Sequence, residues 1–262
     1  MKKLSIRQVC LFFIAFMPVT KLFSLPSIIA KSSNEDMWIC SLINLVVDFI
    51  TLVLLFNVCK KTKLTFYELL NQSFGSFLAK TIYLFYFAYF MLKTILPLNE
   101  QKDFVEMTLY TLRPSILYFL PFFAVAFYFL LKPLRVLGRI SDVIWVITLI
   151  GYAILFALSL SNTDFASILP VGANGSAKIL HGSYLSLTWF GDSVYLLFFM
   201  GEFSCTKKDT KKIIGSFMVG AFIILSFMII FYSIFTYIAY RQKFALTEIS
   251  KYTAVINNIG RF

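Results

Sequence analysis

Seven long apolar runs, separated by short polar loops, leave this chain few folds to adopt. A helix that crosses a bilayer needs about 20 mainly apolar residues, and each run comes close to that length. The runs cover residues 9–29, 37–58, 77–98, 115–131, 140–160, 183–203 and 213–239. Only 14% of the residues are charged, whereas soluble domains carry about 25%. The pattern therefore predicts an all-α polytopic membrane protein, with a single membrane domain over residues 1–262.

Basic residues in the loops predict the orientation of the chain. If the N-terminus is cytoplasmic, the inner loops carry Lys and Arg at a much higher density than the outer loops, as the positive-inside rule requires. The net charge of +11 thus belongs to loops between apolar runs, and not to a broad basic surface that neutralises phosphates. Membrane lipid, and no nucleic acid, is the expected partner. After the seventh run, residues 246–262 have the spacing of an amphipathic helix on the outer face.

The first run is unusual because prolines and polar residues interrupt it. Pro18 removes a backbone hydrogen bond from a helix, and Pro26 is expected to break it again eight residues later. Thr20 and Lys21 lie between the two prolines. One interpretation of Lys21 is a structural ion pair, for example with Asp48 of the second run. The other is a break in the helix, which is tolerated at membrane depth only where the backbone is buried in protein or lines a cavity.

The sixth run has a comparable interruption at its centre, where the sequence reads WFGDS. Gly191 followed by Asp192 and Ser193 is compatible with a glycine packing contact beside a buried, satisfied aspartate. It is equally compatible with a second discontinuous helix that faces the first. In a five-plus-five inverted repeat, the first and sixth runs would be the first members of the two halves, and interrupted helices at corresponding positions indicate a transporter binding site.

Four other charged residues lie near the ends of runs. Their side chains are expected to snorkel or to face lipid headgroups. They are Lys80, Lys93, Asp142 and Glu202.

Catalytic and metal-binding patterns are weak throughout the sequence. The single histidine, His181, lies in an outer loop, so neither a His-based metal site nor a catalytic triad is expected. No nucleophile–base pair is visible, and no enzymatic activity or cofactor is predicted. The cysteines have no CxxC spacing and are interpreted as small apolar residues near run ends. They are Cys10, Cys40, Cys59 and Cys205.

Several stretches, taken in order, resemble the endospore germination permease family, the B subunits of spore nutrient-germinant receptors. The resemblance runs from end to end of the chain. It is carried by LSIRQVCLFF, TKLFSLPSIIAKSSNEDMWI, LTFYELLNQSFGSFLAK, LNEQKDFVEMTLY, VLGRISDVIWVI, TDFASILPV and LTWFGDSVYLLFFMGEF.

The resemblance implies a fold and a place for a ligand. The family belongs to the amino acid–polyamine–organocation superfamily, whose LeuT-like inverted-repeat fold has ten spans. This sequence stops after about seven, so a chain truncated relative to that fold, or a degenerate copy of it, is expected. The ligand would bind where the broken first and sixth helices meet, with the third run as a wall.

These considerations predict a germinant receptor subunit that senses a small nutrient, such as an amino acid, and signals to other receptor subunits at the spore inner membrane. Half-helix N-termini at the breaks would favour a ligand carboxylate. An amino acid/cation symporter of the same fold and a truncated, non-binding scaffold subunit are the alternatives. The predicted ligand contacts are Val19, Thr20, Lys21, Phe190, Gly191, Asp192 and Ser193, with Tyr86 and Tyr89 closing the pocket.

Overall fold

The computed structural model describes residues 5–62, 64–108, 116–132, 134–201, 203 and 205–252. All regular elements in these ranges are helical, which confirms an all-α polytopic membrane protein. The longer helices are α1 (Ile6–Val19), α2 (Leu25–Ser33), α3 (Met37–Cys59), α4 (Phe66–Thr108), α5 (Ile116–Leu130), α6 (Leu134–Ser159), α7 (Gly175–Ser186), α8 (Lys207–Phe235) and α9 (Ala245–Tyr252). Short 3-10 helices cover Asn34–Asp36, Leu160–Asn162, Phe165–Ile168, Leu187–Trp189, Asp192–Phe199 and Thr236–Arg241.

Four helical stretches of the described chain are long and apolar enough to cross a membrane. They are Leu25–Cys59, Phe66–Met107, Gly138–Asn162 and Lys207–Arg241. The first and sixth predicted runs are absent from this group because each is divided into shorter helical pieces. The division into seven spans, the extent of the membrane domain and the inverted repeat stay predictions.

Helix α1 accommodates Pro18 by widening before it. The helix begins with a capping box between Ser5 and Gln8, and residues Phe12–Phe16 form a π-helix. Because Pro18 has no N–H to donate to the preceding turn, a wider turn keeps the other backbone groups paired. The helix then ends at Val19, so the break follows Pro18 and does not coincide with it.

Pro26 has a different role from the one predicted. It lies in the first turn of α2, where a missing N–H costs nothing and the fixed φ angle favours helix formation. The prediction that Pro26 breaks the helix a second time is therefore wrong, because Pro26 starts the next helix.

Helix α4 is longer than the third apolar run. It continues to Thr108 through Pro97 and bends at Gly75, which has a φ angle of +79°. Residues after 98, which the sequence analysis placed in an outer loop, are thus helical as far as Thr108. This extension brings polar residues of α4 close to the two interrupted segments.

The interior of the protein is built around α8. Its buried face includes Phe217, Ile224 and Phe227, which are fully or almost fully buried. By contrast, α4 leaves large apolar side chains exposed, such as Phe77 at 82% and Phe85 at 73%. An apolar exposed face of this kind is typical of a helix in lipid.

Helix α9 contacts the first interruption. The backbone N–H of Ala245 donates to the carbonyl oxygen of Phe23 at 2.8 Å, and Ile249 is fully buried. Helix α9 covers the first part of the predicted amphipathic tail and ends at Tyr252, and the place of that tail on the outer face stays a prediction. The remainder of the predicted tail, residues 253–262, lies outside the described residues.

The contact between α1 and α8 yields a test of the packing. A Cβ atom on Gly220 would collide with the backbone carbonyl of Phe13, whereas one on Gly215 of the same helix would meet no atom within 4 Å. We expect Gly220→Ala to cost about 1–3 kcal/mol, the usual range for overpacking. Gly215→Ala should be neutral or slightly stabilising because alanine favours the helix. Thermal unfolding of both variants in the same detergent measures the difference, and equal melting temperatures would contradict the proposed packing.

Candidate ligand site

Two interrupted segments face each other in the interior of the protein. The first comprises residues 20–24, between the end of α1 and the start of α2. The second comprises Phe190, whose backbone is extended, and Gly191, whose φ angle is +85°. Glycine adopts such a left-handed conformation without the steric cost that a side chain imposes. The structure therefore contains both helix breaks that the sequence indicated.

Lys21 joins the two breaks through a buried ion pair. Its side chain is fully buried, and its Nζ pairs with the carboxylate of Asp192. The same Nζ donates to the carbonyl oxygen of Met17 at 3.1 Å and lies 5.2 Å from the centre of the Phe190 ring. Of the two interpretations of Lys21, each holds in part: it lies in a break and forms an ion pair, but its partner is Asp192 and not Asp48.

Lys93 of α4 contributes a second ammonium group to the same carboxylate. Its Nζ lies 2.9 Å from Oδ1 of Asp192 and donates to the carbonyl oxygen of Phe190 at 2.6 Å. The side chain is buried. The expectation that Lys93 faces the headgroups is thus wrong, because α4 carries it inward, against the second break.

Asp48 of α3 accepts hydrogen bonds from the start of the 3-10 helix Asp192–Phe199. Its two carboxylate oxygens accept from the backbone N–H groups of Asp192 and Ser193, both at 3.0 Å. The hydroxyl of Ser193 donates in turn to the carbonyl oxygen of Asp48 at 3.1 Å. A carboxylate stabilises the N-terminus of a helix in this way. The position expected for a ligand carboxylate at this break is therefore taken by the protein's own Asp48.

A cavity of about 570 Å³ lies between the two breaks, α4 and α6. Its walls are mainly apolar, and its polar groups lie near the interrupted segments. It is lined by Phe16, Val19, Thr20, Phe23, Lys93, Thr94, Leu96, Pro97, Leu98, Glu100, Gln101, Phe122, Thr148, Tyr152, Thr188, Trp189, Asp192, Tyr195 and Leu246. An apolar cavity with a few convergent polar groups is the usual form of a small-molecule site.

Some of the predicted contact residues line this cavity and others support it. Val19, Thr20 and Asp192 form part of its wall. Lys21 and Ser193 do not line it, because both are fully buried, Lys21 against Asp192 and Ser193 against Asp48.

The other predicted residues lie on the far side of the second break. Tyr89, Phe190 and Gly191 line a separate cavity of about 330 Å³. Tyr86 lines neither of these two cavities, and its hydroxyl donates to the carbonyl oxygen of Val194 at 3.0 Å. Of the nine predicted residues, three thus line the first cavity, three line the second, and three line neither of the two. Whether they bind a ligand stays a prediction.

Glu100 is a residue of the site that the sequence analysis missed. Its carboxylate accepts hydrogen bonds from the hydroxyl of Ser24, in the first break, and from the indole N–H of Trp189, beside the second, at 2.8 Å. Glu100 was assigned to an outer loop because the apolar run ends at residue 98. Its spacing of seven residues from Lys93, on the same face of one helix, was the signal that could have placed it here.

Lys80 and Asp142, two further charged residues of the predicted runs, do not line the cavity. Lys80 is exposed, and Asp142 pairs with Arg7 at 2.6 Å. Glu202 lies outside the described residues. Within the described ranges, no group of three or more His, Cys, Asp or Glu residues has the arrangement of a metal site.

Comparison with known proteins identifies the family. A family model described as "Spore germination protein" matches residues 3–262. The chain belongs to this spore germination protein family. No curated protein and no solved structure matches the sequence. The match confirms the resemblance noted in the sequence, and it indicates a germination-related membrane protein from a permease-type family whose members are generally not enzymes.

The buried ion cluster leads to a prediction about stability. Asp192→Asn would leave Lys21 and Lys93 buried without their counter-charge, and removing one partner of a buried pair costs about 3–5 kcal/mol. We expect a large fall in the melting temperature or loss of the folded protein. Asp103→Asn is the matched control, because its ion pair with Lys243 is half exposed and such pairs contribute about 0–1 kcal/mol. Similar thermal stability of the two variants in detergent would contradict a structural role for the cluster.

Proposed function

We propose that the protein is a germinant receptor subunit that binds a small nutrient, such as an amino acid, in the cavity between the two breaks and thereby triggers germination. The observation that carries the proposal is the cavity of about 570 Å³ bounded by both interrupted segments. The family match supports the link to germination. In this proposal the protein lies in the spore inner membrane with its N-terminus in the cytoplasm.

The cavity suits a small molecule with an apolar part. Its volume falls in the range of about 300–1,000 Å³ that is typical of ligand pockets. Aromatic side chains such as Phe16, Phe23 and Trp189 provide apolar walls, while Thr20 and Glu100 provide polar contacts. A ligand of amino acid size could therefore touch both breaks at once.

A ligand that contacts both breaks could change the conformation of the protein. A ligand shifts an equilibrium only by binding one conformation better than another. Residues 20–24 connect α1 with α2, and the bond from Ala245 to Phe23 connects the same segment with α9. At the other end of α1, Arg7 pairs with Asp142 of α6. A change at the first break would therefore reach surfaces at both ends of α1, where other receptor subunits could respond.

The experiment fills the cavity with a larger side chain. Thr94 lines it, and the adjacent Ile95 is 44% exposed and does not. The wild-type protein in lipid nanodiscs is screened against the twenty amino acids by equilibrium binding and by thermal shift. A bound ligand should raise the melting temperature, and Thr94→Phe should abolish this shift while Ile95→Phe preserves it.

The same two variants are then introduced into spores of the host. Loss of the nutrient response in Thr94→Phe spores alone supports sensing through this cavity. If both variants bind and respond like the wild type, or if the wild type binds none of the amino acids, the proposal is wrong. If the protein carries the bound amino acid into proteoliposomes, its function is transport and not sensing.

A further inference from the structure

The charges around the second break are balanced before any ligand arrives. Lys21 and Lys93 both pair with Asp192, and Asp48 is the second acidic group of the cluster. Two ammonium groups thus face two carboxylates. An additional ligand carboxylate would have to compete with Asp192 for Lys93, and with Asp48 for the backbone N–H groups at the start of the 3-10 helix.

Glu100 is differently placed, because its hydrogen-bond donors are neutral. The hydroxyl of Ser24 and the indole of Trp189 both donate to the same oxygen, Oε1. The described residues supply no hydrogen bond to Oε2, and none of their Lys, Arg or His side chains forms an ion pair with Glu100. Glu100 itself lines the large cavity. The cavity wall therefore carries a carboxyl group that has no cationic partner among the described residues and has one oxygen available to a ligand.

We propose that Glu100 binds the protonated amine of the ligand, which makes the site selective for a primary ammonium group attached to an apolar substituent. Both an apolar amino acid and a simple alkylamine have this chemistry. The inference rests on the proposed function, since it concerns the same cavity. It reverses the expectation that the breaks select a ligand carboxylate, because the groups that would bind a carboxylate are already occupied by Asp48 and Asp192.

The surroundings of Glu100 fit such a ligand. A charge-assisted hydrogen bond between an ammonium group and a carboxylate is stronger than one between neutral groups, and it is strengthened further where water is excluded. The aromatic walls formed by Phe23 and Trp189 can contact the apolar substituent, and the faces of such rings also attract a nearby cation.

Four probe molecules of similar shape but different charge show which charged group of the ligand the wild-type protein recognises. Isopentylamine carries an ammonium group, isopentanol a neutral hydroxyl, 4-methylpentanoate a carboxylate, and leucine both charges. Equilibrium binding to the nanodisc-embedded protein should rank isopentylamine and leucine at least about tenfold above the other two, since a hydrogen bond to a charged group contributes that much or more. Equal or tighter binding of 4-methylpentanoate would overturn the inference.

A charge-neutral variant then tests Glu100 itself. In Glu100→Gln the amide oxygen can still accept from Ser24 and Trp189, so the bridge between the breaks is preserved while the charge is lost. The dissociation constants of isopentylamine and leucine should rise about tenfold or more, and that of isopentanol should stay within about threefold. Glu106→Gln on the same helix is the control, because Glu106 pairs with Lys102 and does not line the cavity. It should leave all four constants unchanged.

The outcomes separate this inference from the proposed function. If Glu100→Gln weakens all four probes equally, Glu100 acts through the shape of the site and the inference fails, while the cavity remains the binding site. If the wild type binds none of the four probes, the inference also fails, and the amino acid screen described above decides the proposed function independently.

Discussion

Asp192 lies between two lysine ammonium groups, one from the first break and one from α4, and all three groups are buried. Each charge alone would be costly at membrane depth, so the three segments are stable there only in contact with one another. The ion cluster therefore fixes how α1, α4 and the second break are arranged. The cavity exists in the space that this arrangement leaves beside it.

The backbone at the two breaks imposes the second constraint. Unpaired N–H and C=O groups are tolerated at membrane depth only when protein or a cavity supplies their partners. Here Asp48 accepts the N–H groups at the second break, and Lys21 and Lys93 donate to carbonyl oxygens at the two breaks. The charged side chains thus satisfy the backbone as well as each other. These charges are paired within the cluster, whereas Glu100 of the cavity wall has only neutral hydrogen-bond donors among the described residues.

Sequence reasoning found the breaks because they depend on local chemistry. A lysine after a proline, and a glycine before an aspartate, are expensive inside a membrane helix, so Lys21 and Gly191 could be placed without a structure. The partners of these residues depend on tertiary packing. Lys93 and Glu100 were placed at or beyond the end of a span because hydropathy alone sets that boundary, whereas α4 continues through Pro97 to Thr108. Pro26 was misjudged for a related reason: a proline that ends one helix and a proline that starts the next are distinguished only once the helix boundary is known.

The close contact between α1 and α8 also limits how the protein can move. At Gly220 the backbone carbonyl of Phe13 lies so close to α8 that no side chain could be added at this position without a shift. Sliding of α1 along α8 would force backbone against backbone, which packed interiors resist. The backbone contact at Gly220 thus keeps α1 in one position along α8, the position from which Lys21 reaches Asp192.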